Sequence, residues 1–82
     1  MRESLSTTEM AWILGRTPER VRRMIRETEI EGVRIPAGFR VPKTEALRVA
    51  RDRIEAEAGR KVSDRELESL IDQVIATNEA AG

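Results

Sequence analysis

The sequence contains no cysteine and no histidine. The first absence removes any disulfide framework and any zinc–thiolate site. The second removes the usual general base and the commonest metal ligand. Aromatic residues make up 2% of the chain, too few for a surface that stacks the bases of a single strand. No apolar run approaches the ~18 residues needed to span a membrane. The start, Met1-Arg2-Glu3-Ser4-Leu5, lacks the apolar core of a signal peptide. A phosphate-binding glycine loop and evident carboxylate pairs are missing as well. These gaps argue against an enzyme, a cofactor, a small-molecule ligand and a membrane partner. The expected compartment is the cytoplasm.

What is present is 82 residues, 37% of them charged, with a formal net charge of +0. A chain this short buries a limited core, so stability must come from packing, capped helices or a partner chain. The zero net charge conceals an asymmetry. Residues 1–15 carry −1, residues 16–53 carry +5 and residues 54–82 carry −4. A basic middle with an acidic end is expected where one segment meets phosphate and the other does not.

Helix boundaries are written in the caps. Ser6-Thr7-Thr8-Glu9 fits a capping box, with Leu5 and Met10 as its hydrophobic staple. Met10, Ile13 and Leu14 follow at helical spacing, and Gly15 ends the helix after about two turns. Thr17 caps a second helix with Pro18 at its first position. Only Gly15, Arg16 and Thr17 separate the two, a short glycine-containing turn between helices. Val21, Met24 and Ile25 form the buried stripe of the second helix. Glu19, Arg22, Arg23 and Arg26 fall opposite it at about 100° per residue. Arg16, Thr17 and Arg20 crowd its N-terminal end.

The period then changes. Val33-Arg34-Ile35 and Phe39-Arg40-Val41 alternate apolar and basic residues around Pro36-Ala37-Gly38, which reads as a β-hairpin with a three-residue loop. In that reading Arg34 and Arg40 share the polar face, and like charges so placed need an anion to neutralise them. A third helix is expected from Lys43 or Thr44 to Gly59, with Leu47, Ala50 and Ile54 inside. Val62-Ser63-Asp64-Arg65-Glu66-Leu67 repeats the capping box and staple. It opens a fourth helix with an apolar stripe of Leu67, Leu70, Ile71, Val74 and Ile75.

Helix, three-residue turn, helix, hairpin and helix, in that order, resemble the small winged helix-turn-helix domains of phage excisionases and MerR-like regulators. The resemblance covers residues 5–54. It rests on Leu5-Ser6-Thr7-Thr8-Glu9-Met10-Ala11, Leu14-Gly15, Val21-Arg22-Arg23-Met24-Ile25-Arg26, Val33-Arg34-Ile35 and Phe39-Arg40-Val41-Pro42. It implies a mainly α fold, with the second helix in the major groove and the hairpin as a wing on a neighbouring minor groove or its phosphates. It also implies DNA bending, side-by-side binding to repeated sites and an integrase partner. Two features depart from the family. Thr28 stands where a glycine is usual, with a glutamate-rich stretch at residues 27–31 after the helix. Residues 59–82 have no counterpart in the minimal domain. The chain therefore divides into a DNA-binding domain at residues 5–58 and a helix and tail at residues 59–82.

Arg16, Thr17, Glu19, Arg20, Arg22, Arg23 and Arg26 are the candidates for the major groove. Arginine pairs bidentately with guanine, and the N-terminal residues of a recognition helix reach base edges. Glu19, Arg20, Arg22 and Arg23 are therefore expected on bases, with Thr17 and Arg26 on phosphate. Glu19 is expected to orient Arg23. Arg34, Arg40 and Lys43 are expected on phosphate, one of them in the minor groove. Trp12 is expected in the core against the fourth helix, with a subunit contact as the alternative. Leu67, Leu70, Ile71 and Val74 either complete that core or pair with a second copy. A symmetric dimer and a head-to-tail oligomer on DNA both follow as expectations. The functional expectation is a sequence-specific double-stranded-DNA-binding protein of excisionase type. The alternatives are a small repressor-like or Cro-like regulator and a protein-interaction module that makes no use of DNA.

Overall fold

The computed structural model describes residues 3–81. Met1, Arg2 and Gly82, part of the N-terminal and tail readings above, lie outside the described residues. The fold is mainly helical, with a small three-stranded antiparallel sheet. Its elements run β1 (Ser4–Ser6), α1 (Thr7–Leu14), α2 (Pro18–Arg26), β2 (Val33–Ile35), β3 (Gly38–Pro42), α3 (Lys43–Ala58) and α4 (Asp64–Ala81).

The caps form as expected. Ser6 Oγ accepts from Glu9 N at 3.2 Å, and Glu9 Oε1 accepts from Ser6 N at 2.9 Å. Gly15 terminates α1 in the left-handed region, φ 63°, which only glycine occupies without a steric penalty. Thr17 Oγ1 accepts from Arg20 N at 3.1 Å, and Pro18 occupies the first turn of α2. At α4, Ser63 Oγ accepts from Glu66 N at 3.2 Å. There the return bond runs from the Ser63 hydroxyl to Glu66 Oε1 at 3.4 Å, so this box is looser than the first.

The sheet departs from the sequence reading in two ways. It has a third strand: β1 pairs with β3, placing Leu5 opposite Val41. Leu5 is thus a strand residue in the core as well as part of a helix staple. The hairpin loop is also shorter. Ile35 pairs with Gly38, leaving Pro36 and Ala37 alone in the turn. A one-residue change of register moves side chains to the other face. Arg34 therefore pairs with Phe39, and Arg40 with Val33. Leu5, Val41, Phe39 and Arg34 share one face of the sheet. Ser6, Arg40 and Val33 share the other. The expected side-by-side pair of hairpin arginines does not exist.

Thr28 follows α2 with φ 61°. A β-branched residue with positive φ is a steric outlier, and glycine would hold the same conformation without that strain. Gly32 then lets the loop close onto α2. A Cβ there would lie 2.8 Å from Ile25 Cγ2.

One hydrophobic cluster runs through residues assigned above to both segments. Leu5, Met10, Val21 and Val41 join Leu67 and Ile71, all 0% exposed. The fourth helix packs on α1 and α3, so its Leu67 and Ile71 are spent inside the monomer. Val74 packs against the cluster and Leu70 is half-buried. Glu9 is buried at the centre, and its Oε2 accepts from Asn78 Nδ2 at 2.9 Å, which ties α4 to α1. Trp12 is outside the core: it is 47% exposed, because Met10, Ile13 and Leu14 take the inner face of α1 and leave it outward. Among the described residues, no helix is long and apolar enough to cross a membrane.

Candidate nucleic-acid interface

The second helix turns Val21 and Ile25 into the core and leaves the opposite side to charge. Thr17, Glu19, Arg20, Arg23 and Arg26 line one shallow hollow on that outer side. Arg16 lies apart from them, in a second hollow with Leu14, Met24, Val49, Asp52 and Arg53. Arg22 is half-buried on a flank of α2. Five of the seven major-groove candidates are thus brought together on one surface.

Ion pairing sorts the cations more sharply than the sequence does. On α3, Arg48 holds Glu45 through Nη2 and Oε2 at 2.6 Å and reaches Asp52 at 3.4 Å. Arg51 pairs with Asp64. Arg53 pairs with Glu57 at 2.8 Å and also donates to the Leu14 carbonyl at the end of α1. Glu45 is itself buried and accepts from Glu31 N at 2.8 Å. The hydrogen bond from Arg48 holds the Glu45 carboxyl below its ordinary value of 4.5, against the opposing pull of burial. By contrast, Arg16, Arg20, Arg22, Arg26 and Arg34 make no side-chain hydrogen bond or ion pair among the described residues. The +5 counted across residues 16–53 resolves into a neutralised third helix and a second helix that keeps three of its four arginines, Arg20, Arg22 and Arg26, without an ion pair among the described residues.

Three expected contacts are placed differently. Arg23 Nε donates to Glu27 Oε2 at 3.1 Å, one turn towards the C-terminus, so Glu27 is its partner in place of Glu19. Arg23 in turn holds the Glu27 carboxyl below 4.5. Arg40 lies across the sheet, with Nε on Ser4 Oγ at 3.1 Å and Nη2 on the Ser4 carbonyl at 2.9 Å. Lys43 Nζ pairs with Asp72 of α4 at 3.3 Å, and its side chain is only 17% exposed. Arg40 and Lys43 therefore serve the fold, and Arg34 is the one exposed arginine of the hairpin without such a tie. Ser4 and Asp72 lie 36 and 29 residues from their partners. No local pattern in the sequence marks such long-range pairs.

The arrangement offers forked guanidinium donors on a straight helix, one further arginine on a projecting hairpin, and a positive helix N-terminus at Thr17. In comparisons with known proteins, no family model, no curated protein and no solved structure matches this chain.

Proposed function

We propose that the chain is a sequence-specific double-stranded-DNA-binding protein built on a winged helix-turn-helix. In this reading α2 enters the major groove and the β2–β3 hairpin is the wing. The observation that carries it is the segregation of cations. Among the described residues, six arginines make no side-chain hydrogen bond or ion pair: Arg16, Arg20, Arg22, Arg26 and Arg34 lie on the α1–α2 turn, α2 and the hairpin, and Arg65 lies on α4, while those of α3 are paired. Surface arginines are usually solvated, but that does not account for a sorting by element in a chain of net charge +0.

Arg20 is placed for a base edge, a good bidentate pair contributing about 1–3 kcal/mol of discrimination, and Arg23 would exchange Glu27 for one. Arg26 and Arg34 neutralise phosphate. With Arg40 and Lys43 engaged elsewhere, Arg34 is the wing residue placed for a groove or its backbone. The resemblance to excisionases extends the proposal to an architectural role, in which bound copies bend a recombination site for an integrase.

Selection from a random double-stranded library tests the reading. Wild type should enrich one motif. Arg20→Ala should relax preference at one position of that motif, while Arg26→Ala should weaken all sequences equally. Recovery of no motif would overturn it. Footprinting on host DNA then separates a recombination site from a promoter.

A further inference from the structure

The third helix begins without a cap of its own. Its N-cap is Pro42, which has no amide hydrogen, and Pro42 offers no side-chain bond to that end. Glu45 stands third in the helix, after Lys43 and Thr44. From that position a glutamate ordinarily reaches back to the N-cap amide, and here that donor does not exist. The Glu45 side chain is buried, and its Oε2 accepts instead from Glu31 N at 2.8 Å, 14 residues back in the chain. Arg48 fixes the direction of the carboxylate. Its Nε donates to Oε1 at 2.8 Å and its Nη2 to Oε2 at 2.6 Å, a bidentate grip that orients the planar group.

The bond from Glu31 to Glu45 joins the two chain ends at the base of the hairpin. Glu31 precedes β2, which opens at Val33, and Glu45 follows β3, which closes at Pro42. The two strands do not depend on it equally. β3 is laddered on both sides, to β1 and to β2, whereas β2 has β3 alone. The loop before β2 is tied to α2 by Glu29 N on the Met24 carbonyl at 2.9 Å and by the buried Ile30. The bond at Glu31 then ties the same loop to α3. Arg34 follows three residues after Glu31, no more than about 10 Å further along an extended chain.

We propose that Glu45 is a positioning residue for the DNA surface: by holding the loop at Glu31 it sets where Arg34 stands relative to α2. The inference rests on the DNA-binding reading above. Glu45 itself touches no DNA in it and acts through β2. Arg48 orients the carboxylate but is not the tie, so its loss should leave the bond to Glu31 in place.

A double-mutant cycle beside an orientation measurement tests it. Glu45→Ala removes the acceptor, and Glu45→Gln keeps an oxygen for Glu31 N. In the free protein, residual dipolar couplings read the orientation of β2 against α2. They should change in Glu45→Ala, with faster hydrogen exchange at Glu31 N, and keep wild-type values in Glu45→Gln. On a selected duplex, Arg34→Ala should cost wild type about tenfold in affinity, the scale of one charged hydrogen bond. The same change should cost less than about twofold in Glu45→Ala and the full factor in Glu45→Gln. Arg26→Ala should cost the same in all three backgrounds, which a general loosening of the fold would not allow. Where Glu45→Ala does not fold, Glu45→Asp takes its place: it keeps a charge for Arg48 but is a methylene too short for Glu31 N. Additive losses from the Glu45 and Arg34 variants, or unchanged couplings, would overturn the proposal. Absence of binding by wild type would instead sink the DNA-binding reading, and the couplings would still decide whether Glu45 sets the hairpin.

Discussion

Single residues carry two consequences that equilibrium unfolding can measure. Thr28 sits at φ 61°, a conformation that costs a residue with a Cβ on the order of 1–2 kcal/mol. Thr28→Gly removes that strain but gives glycine more freedom to lose on folding. The balance predicts a gain of about 0.5–1 kcal/mol in urea, with an unchanged m-value. A loss would mean that the bond from Thr28 Oγ1 to the Glu27 carbonyl, 2.6 Å long, outweighs the strain. Glu45 sets the acid limb of the stability curve. Its folded-state value is depressed by Arg48, so its contribution is full above the ordinary carboxylate range and is lost as pH falls through the folded value. Wild type should hold a constant urea midpoint near neutral pH and weaken below about pH 4.5. Glu45→Gln should start lower at neutral pH and fall less steeply in acid.

At the scale of elements, α4 belongs to the core. Leu67 and Ile71 are 0% exposed, and truncating a residue so buried costs about 2–5 kcal/mol. In a domain whose whole stability is about 5–15 kcal/mol, Ile71→Ala should lower the melting temperature by at least ~10 °C. A shift of a degree or two would show that α4 is loosely attached. The helices were legible in the sequence because their signals are local: a capping box at Ser6, Thr17-Pro18, and apolar residues at a period of 3.6. The strands were less so. β1 is three residues long, too short to show alternation, and exists only because Val41 offers Leu5 a partner. The hairpin was found but set one residue out of register, because Gly38 reads as a loop residue and is in fact the first residue of β3. That single residue separated the two hairpin arginines. On α2 the candidate surface was legible from the arginine spacing. The engagement of Arg40 by Ser4 and of Lys43 by Asp72 was not, because each depends on elements far away in the chain.

At the scale of the molecule, zero net charge combines a third helix whose arginines are paired with a second helix and hairpin most of whose arginines are not. If α2 and the hairpin meet DNA, binding rests on placed contacts more than on bulk attraction, and each phosphate a cation neutralises releases counterions from the duplex. The most direct measurement is the salt dependence of binding to a selected duplex, for wild type, Arg26→Ala and Arg48→Ala. If each of Arg16, Arg20, Arg22, Arg26 and Arg34, the arginines of this face without a partner among the described residues, neutralises one phosphate, the log–log slope is about −4.5, at −0.9 per phosphate. A linear slope of several units is the predicted result, reduced by about 0.9 in Arg26→Ala and unchanged in Arg48→Ala, whose charge Glu45 already holds. A flat response in wild type, or an equal loss from both variants, would contradict the account.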